Sequence, residues 1–137
     1  MGAEHAAAAG GVPGVPAGAR AAGAYRDRGL SLDTGAAGAR RVLRDWPDTD
    51  AIVAITDATA LGALRALAEA GRRVPEDVAV VGFDDVPLAA LGQPPLTTAT
   101  HPVERIAVSA VRCLLGGTAT ADQAVLHPST LVHRQSA

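Results

Sequence analysis

The sequence contains no lysine, a single cysteine and only three aromatic residues. All 12 basic residues are arginines and face 14 acidic residues, so the net charge of -2 offers no basic surface of the kind that binds nucleic acid. The single Cys113 excludes an internal disulfide and a zinc site with several cysteine ligands. Its place in an apolar helical pattern predicts a small core residue. With so few aromatic residues, the core must be aliphatic.

Long apolar runs are also missing. No stretch approaches the roughly 20 apolar residues of a membrane-spanning helix, and the first residues lack the basic start of a secretory leader. We therefore expect a cytoplasmic protein without membrane contact. The length of 137 residues is that of one ordinary domain.

Signals for catalysis and for cofactors are weak. The glycines near the start do not follow a strand, so they form no dinucleotide fingerprint. The four histidines lack metal-ligand spacing. The adjacent carboxylates of Asp84 and Asp85 diverge on extended backbone, which disfavours shared acid–base work. The sequence predicts no enzyme, no catalytic residue, no cofactor and no metal.

Composition divides the chain into three parts. Residues 1–17 are rich in Ala, Gly and Pro, which predicts a flexible tail. Residues 18–46 hold two helix candidates, over 18–28 and 36–46. Residues 47–137 carry the clearer elements.

A strand, a helix and a second strand open the third part. Residues 51–55 form a continuous apolar run, typical of a strand buried on both faces. The pattern then predicts a helix over 58–70 with Asp57 as its N-cap and Gly71 just beyond its end. A second buried strand follows over 78–82. This unit predicts an α/β fold with a parallel sheet.

The remaining elements are a loop, a strand and an amphipathic helix. Residues 96–100 have the β-branched character of a strand. Pro102 is expected at the first position of the next helix, whose apolar residues recur at helical spacing. Residues 124–134 form a last extended segment.

Three blocks in fixed order resemble the C-terminal part of LacI/GalR-family transcription regulators. They are Asp50–Asp57 with Ala60–Leu67, then Gly71–Asp85, and finally Pro94–Thr98 with Pro102 and the closing Leu131–Arg134. The resemblance implies an α/β fold, the parallel-sheet sandwich of a periplasmic-binding-protein type I-like C-terminal subdomain. It also implies that this fold is incomplete here, because the helix-turn-helix and most of the N-terminal subdomain have no counterpart. Residues 18–46 would then be remnant helices of the N-terminal subdomain, and 47–137 the effector-binding and dimerisation subdomain.

Asp84 is the strongest candidate for ligand binding. It follows a parallel strand at its carboxyl end, where open α/β sheets bind ligands. The resemblance implies that its carboxylate accepts hydrogen bonds from ligand hydroxyls. A turn-capping role is the alternative. For the neighbouring Asp85 a structural role in the loop is favoured.

Four further residues are candidates for the same cleft. Asp57 also lies at a strand end, and its alternative role is the helix N-cap. The family usually has Asn before this Asp, whereas Thr56 offers a shorter polar contact. The resemblance places Phe83 at the cleft floor and His101 near its rim.

The resemblance also implies a homodimer, with Leu61, Leu88 and Leu91 in the interface. The function it implies is sensing of a small effector, a carbohydrate above all, within a regulator that reaches DNA only through a helix-turn-helix that this chain lacks. An extracytoplasmic sugar-binding protein of the same fold and a non-functional gene remnant are the alternatives.

Overall fold

The computed structural model describes residues 29–115 and 125–137. Their order is α1 (Leu32–Asp45), β1 (Ala51–Val53), α2 (Asp57–Glu69), β2 (Ala79–Asp84), a 3-10 turn (Pro87–Leu91), β3 (Thr97–Thr100), α3 (Val103–Leu114) and β4 (Leu131–Val132). The tail predicted over 1–17 and the helix predicted over 18–28 lie outside the described residues.

The four strands form one sheet in the order β1-β2-β3-β4. The first three strands are parallel, and β4 runs antiparallel to β3. The prediction of an α/β fold with a parallel sheet is therefore confirmed. Because three parallel strands end at the same side, residues that follow β1, β2 and β3 meet there. We call this side the carboxyl edge.

Helix α1 starts earlier than predicted. The sequence suggested residues 36–46, but Ser31 and Thr34 form a capping box that begins the helix at Leu32. The backbone N–H of Thr34 donates to Ser31 Oγ at 3.2 Å, and the N–H of Ser31 donates to Thr34 Oγ1 at 3.0 Å. These bonds satisfy two donors that a helix start leaves without partners. The helix then continues through Gly35.

Helix α2 is the centre of the core. Leu64 and Leu67 face the sheet and pack with Val78, Val80 and Leu96. The C-terminal end is closed as predicted by Gly71, which has φ +70. The N–H of Gly71 donates to Ala68 O and that of Arg72 to Leu67 O, which is the Schellman arrangement.

Small residues bring α1 and α2 close together. Ala36, Ala39, Ala63 and Ala66 form a second core between these helices. A Cβ at Gly62 would collide with the carbonyl oxygen of Leu32. Two ion pairs, Arg40–Glu69 and Arg65–Asp33, join the helices at the surface.

Strand β1 is less buried than predicted. The run 51–55 was expected to be covered on both faces, but the strand spans only Ala51–Val53 and lies at the edge of the sheet. Val53 is 80% exposed and Ile55 is 69% exposed. No described residue pairs with the outer side of this strand, so the prediction of a fully buried strand is wrong for this chain.

Helix α3 forms, yet none of its residues is buried. Pro102 is the N-cap and not the first helical residue as predicted. Cys113 is exposed, so its assignment to the core is wrong. The physical reason is that none of the described residues covers the apolar face of α3 sufficiently to bury it.

The last residues of the chain join two strands. Ser136 is fully buried. Its hydroxyl donates to the carbonyl oxygen of Val80 at 2.6 Å and accepts the N–H of Thr97 at 2.8 Å. Ser136 therefore links the beginnings of β2 and β3, and brings the C-terminal segment against the sheet.

We predict that Gly62→Ala destabilises the protein by about 1–3 kcal/mol, because the added methyl group has backbone on its far side that cannot move away. Helix propensity alone predicts that Gly62→Ala would stabilise the protein, by about 1 kcal/mol. Urea unfolding measures the difference. Ala68→Gly, at an exposed position of the same helix, is the control. It measures the contribution of helix propensity, which we expect to be about 1 kcal/mol. A more stable Gly62→Ala protein would contradict the close approach of the helices.

Candidate functional site

The carboxyl edge brings most of the predicted ligand residues together. Phe83 and Asp84 are the last two residues of β2, and His101 follows β3. The rings of Phe83 and His101 lie with their centroids 5.5 Å apart. Nδ1 of His101 lies 3.3 Å from Oδ1 of Asp84, which makes an ion pair when the imidazole is protonated.

Asp84 has the exposure that a ligand contact needs. Its side chain is 30% exposed, and that of His101 is 43% exposed. A carboxylate at this position accepts hydrogen bonds from hydroxyl groups. The neighbouring ring of Phe83 is half-buried and offers an apolar surface. Together they form a small surface that is polar on one side and aromatic on the other.

Asp57 has a different place from the one predicted. It is the first residue of α2 and not its N-cap. The N-cap is Thr56, whose hydroxyl accepts the N–H of Thr59 at 3.3 Å. Thr56 lies at the carboxyl edge as expected, but its hydroxyl serves this capping box.

The Asp57 carboxylate is fully buried. Its Oδ1 accepts the hydroxyl of Thr98 on β3 at 2.5 Å, and its Oδ2 accepts the N–H of Val86 at 2.9 Å. The N-terminus of α2 adds a favourable positive dipole. Gly82 leaves room for the carboxylate, because a Cβ there would collide with Oδ1. Asp57 thus ties α2 to β3 and to the loop after β2.

The backbone at Asp84 and Asp85 is unusual. Their φ angles are 116 and 54, in a region that residues with a side chain rarely adopt. Such conformations cost about 1–3 kcal/mol each and persist only where the surroundings impose them. Arg134 supplies one constraint, since its Nη2 donates to Asp85 Oδ1 at 2.7 Å. The structural role predicted for Asp85 agrees with this contact.

Thr98 and Arg134 are the structural residues that sequence reasoning missed. The sequence pattern indicates only that Thr98 belongs to a β-branched strand and that Arg134 ends a motif. The register places Thr98 opposite Gly82. The available signal was the small residue opposite Thr98, because a glycine on the neighbouring strand leaves room for a carboxylate beside the threonine hydroxyl. For Arg134 the nearest signal was its position as a single cation after the last strand.

The leucines expected in an interface also lie together. Leu61, Leu88 and Leu91 line one shallow apolar groove with Leu32, and we call these four residues the leucine patch. Leu88 is 52% exposed and Leu91 is 75% exposed. Leu61 reaches the patch from α2, Leu32 from the start of α1, and Leu88 and Leu91 from the 3-10 turn.

Two other kinds of feature are absent from the part of the chain that the structure describes. No helix of residues 29–115 and 125–137 is long and apolar enough to cross a membrane. Within the same ranges, no group of three or more His, Cys, Asp or Glu side chains is placed to hold a metal ion.

Comparison with known proteins identifies the class to which this fold and site belong. Residues 2–137 match the family model of the periplasmic binding protein-like domain, so the chain belongs to that family. Among curated relatives, the HTH-type transcriptional regulator CelR of Thermobifida fusca is 46% identical over 86 residues, which are 63% of this chain and 25% of that protein. The chain spans about a quarter of the length of relatives of this kind.

Solved structures point to the LacI-type members. The complex of the transcriptional regulator CelR with cellobiose is 40% identical with a TM-score of 0.69, covering 79% of this chain and 34% of that one. The lac repressor dimer bound to operator and an anti-inducer is 30% identical with a TM-score of 0.69, covering 77% and 38%. The resemblance to LacI-type transcription regulators is confirmed, and their effector-binding domain is the part that this chain matches.

We predict that Asp57→Ala lowers the free energy of unfolding by about 2–5 kcal/mol, because the Val86 N–H and the Thr98 hydroxyl lose their buried acceptor. Urea unfolding measures this change. The exposed Asp48→Ala is the matched control and should shift stability by no more than about 0.5 kcal/mol. An Asp57→Ala protein as stable as this control would contradict the tie between α2, β3 and the loop.

Proposed function

We propose that the chain is the effector-sensing and dimerisation part of a LacI-type DNA-binding transcriptional regulator, with a small carbohydrate as its effector. The observation that carries this proposal is the convergence of Phe83, Asp84 and His101 at the carboxyl edge. Parallel α/β sheets bind ligands at this edge. The relation to a regulator solved with cellobiose supports a sugar as the ligand.

The chemistry of the three side chains fits a sugar. Each ring hydroxyl of a sugar is a donor that the Asp84 carboxylate can accept. The C–H faces of a sugar ring are apolar, and the half-buried Phe83 ring offers them an apolar surface. The imidazole of His101 can donate or accept, depending on its protonation. Thr56 and Asp57 contribute indirectly, by capping α2 and by bonding its first residue to Thr98 and Val86.

This surface is one wall of a cleft. The chain covers 34% of the CelR chain that was solved with cellobiose, so we propose that the facing wall comes from sequence with no counterpart here. Good small-molecule sites bury 70–90% of the ligand, as a rough range. A single wall buries much less, so we expect weak binding by this chain alone.

The leucine patch is proposed as the dimer interface. A two-fold interface uses the same patch on both copies, and an exposed apolar patch is what such an interface buries. The relative solved on operator DNA is described as a dimer. Dimerisation would place two effector sites in one regulator. Effector binding that favours one closure state would then change the affinity for DNA.

DNA contact is proposed only for the whole regulator, through a helix-turn-helix. The proposed compartment is the cytoplasm, where regulators of this type meet their operators. No catalytic step is proposed.

The effector site is tested by titrating cellobiose and other disaccharides into the full chain and following backbone amide shifts by NMR. We predict that Asp84→Ala weakens the wild-type response at least tenfold, because the charged acceptor for sugar hydroxyls is lost. Asp84→Asn also removes the charge, but asparagine tolerates positive φ. A weaker response in this variant therefore reports the lost charge and not a relaxed backbone. Asp48→Ala is the control. An unchanged response in Asp84→Ala would remove Asp84 from the site, and a wild type that responds to no sugar would contradict a carbohydrate effector.

The interface is tested by light scattering on the purified chain. We predict that Leu61→Arg turns a dimer into a monomer, because two buried guanidinium groups would lack partners across the two-fold axis. Val53→Arg, at an exposed apolar residue on the sheet edge, is the matched control and should leave a dimer. A monomeric wild type, or dissociation by Val53→Arg alone, would contradict the leucine patch as the interface.

A further inference from the structure

We propose that Arg134 is a positioning residue for the effector site, which holds the backbone at Asp84 and Asp85 in its positive-φ conformation and thereby aims the Asp84 carboxylate. This inference rests on the proposed function in one respect, the use of Asp84 as a ligand contact. The conformational part stands on the contacts of Arg134 itself.

We call the backbone of Asp84 and Asp85 the turn after β2. Local preference alone does not give this turn its shape. Two successive residues with side chains adopt positive φ, 116 at Asp84 and 54 at Asp85. Asp adopts such angles more readily than most residues, but as single residues. A conformation of this kind persists where neighbouring structure imposes it, and such positions concentrate at ligand sites.

Arg134 is anchored on three sides. Its backbone N–H donates to Thr97 Oγ1 at 2.9 Å, its Nη1 donates to the carbonyl oxygen of Leu96 at 2.8 Å, and its Nη2 donates to Asp85 Oδ1 at 2.7 Å. Leu96 and Thr97 are both buried at the start of β3. The guanidinium thus reaches Asp85 from a rigid base, and its planar fork fixes the direction of each bond.

The burial of this ion pair sets it apart. The Arg134 side chain is 19% exposed and that of Asp85 is 27% exposed. The Arg73–Asp77 pair has a comparable bond of 2.6 Å, but its arginine is 71% exposed. There the side-chain and backbone hydrogen bonds from Arg73 lower the pKa of Asp77 to about 2. That pair lies in the turn before β2, remote from the carboxyl edge, and provides a matched comparison.

Two constraints therefore fix the segment after β2. Arg134 holds Asp85, and the Asp57 carboxylate holds the N–H of Val86. Asp84 is the residue just before them, and its own carboxylate meets only the partly exposed His101 among the described side chains. The arrangement fixes the backbone of Asp84 while leaving its carboxylate accessible.

The test uses NMR on the full chain without ligand. Backbone couplings and carbon shifts of Asp84 and Asp85 report their φ angles. We expect Arg134→Gln to move these residues out of the positive-φ region while the signals of the core around Leu67 stay in place. Arg73→Gln removes an ion pair of similar geometry and should leave Asp84 and Asp85 unchanged. Unchanged φ angles in Arg134→Gln would overturn the proposal.

A pair of variants at Asp85 separates positioning from simple stabilisation. Both Asp85→Ala and Asp85→Gly lose the ion pair, but only glycine adopts positive φ without strain. We expect Asp85→Gly to keep the wild-type turn and Asp85→Ala to lose it. A turn that both variants keep would overturn the proposal, because the ion pair would then not be needed to hold it. If Arg134→Gln does not fold, Arg134→Lys takes its place with the same readout, because lysine keeps the charge but lacks the planar fork that reaches both Leu96 and Asp85.

The consequence for binding is measured with cellobiose as the probe. We expect Arg134→Gln and Asp85→Ala to weaken the cellobiose response about tenfold, and Asp85→Gly to respond nearly as the wild type does. Wild-type binding that Arg134→Gln leaves intact would overturn the role of Arg134 in the site, while the effector proposal would stand. If the wild type binds no sugar, the effector proposal fails, and the ligand-free φ angles still decide whether Arg134 holds the turn.

Discussion

The structure depends on one buried carboxylate. Asp57 is fully buried, and it accepts hydrogen bonds from Thr98 on β3 and from Val86 in the loop after β2. A buried charge is tolerated only where hydrogen bonds and a favourable dipole replace water. Here two donors and the start of α2 provide both. The same bonds fix the carboxyl ends of the strands relative to each other, so the geometry of the proposed effector surface follows from the requirement to satisfy this carboxylate.

The described residues also show where the fold is open. One face of the sheet is covered by α2, with α1 packed behind it. The outer side of β1 and the apolar face of α3 lack comparable cover among residues 29–115 and 125–137. Parallel sheets are usually covered on both faces, and an exposed apolar strand at the edge of a sheet is usually protected by further structure. The regulators that this chain matches are about two and a half times as long as the chain itself.

The sequence allowed much of the fold to be predicted because its signals were local. The βαβ unit could be read from apolar runs and from Gly71, and the carboxyl edge followed from strand direction. Buried and exposed surfaces could not be read in this way, because the patterns of β1 and α3 are those of elements with neighbours on both sides. The same limit applies at Asp57. The sequence showed a carboxylate at a strand end. Only the fold shows that Thr56 is the N-cap of α2 and that the hydroxyl of Thr98, on a distant strand, donates to the carboxylate. Arg134 and Asp85 are likewise 49 residues apart in the sequence.

These separations have a consequence for the order in which the protein folds. Asp57 is 29 residues from Val86 and 41 from Thr98, and Asp85 is 49 from Arg134. Contacts between distant residues require closure of long loops, which slows their formation. The two ion pairs between α1 and α2 span 29 and 32 residues, which is less than the 41 and 49 residues of the Thr98 and Arg134 contacts. The carboxyl edge is complete only when the last residues of the chain have docked, so a partly folded chain has its helices before it has a surface on which an effector could bind.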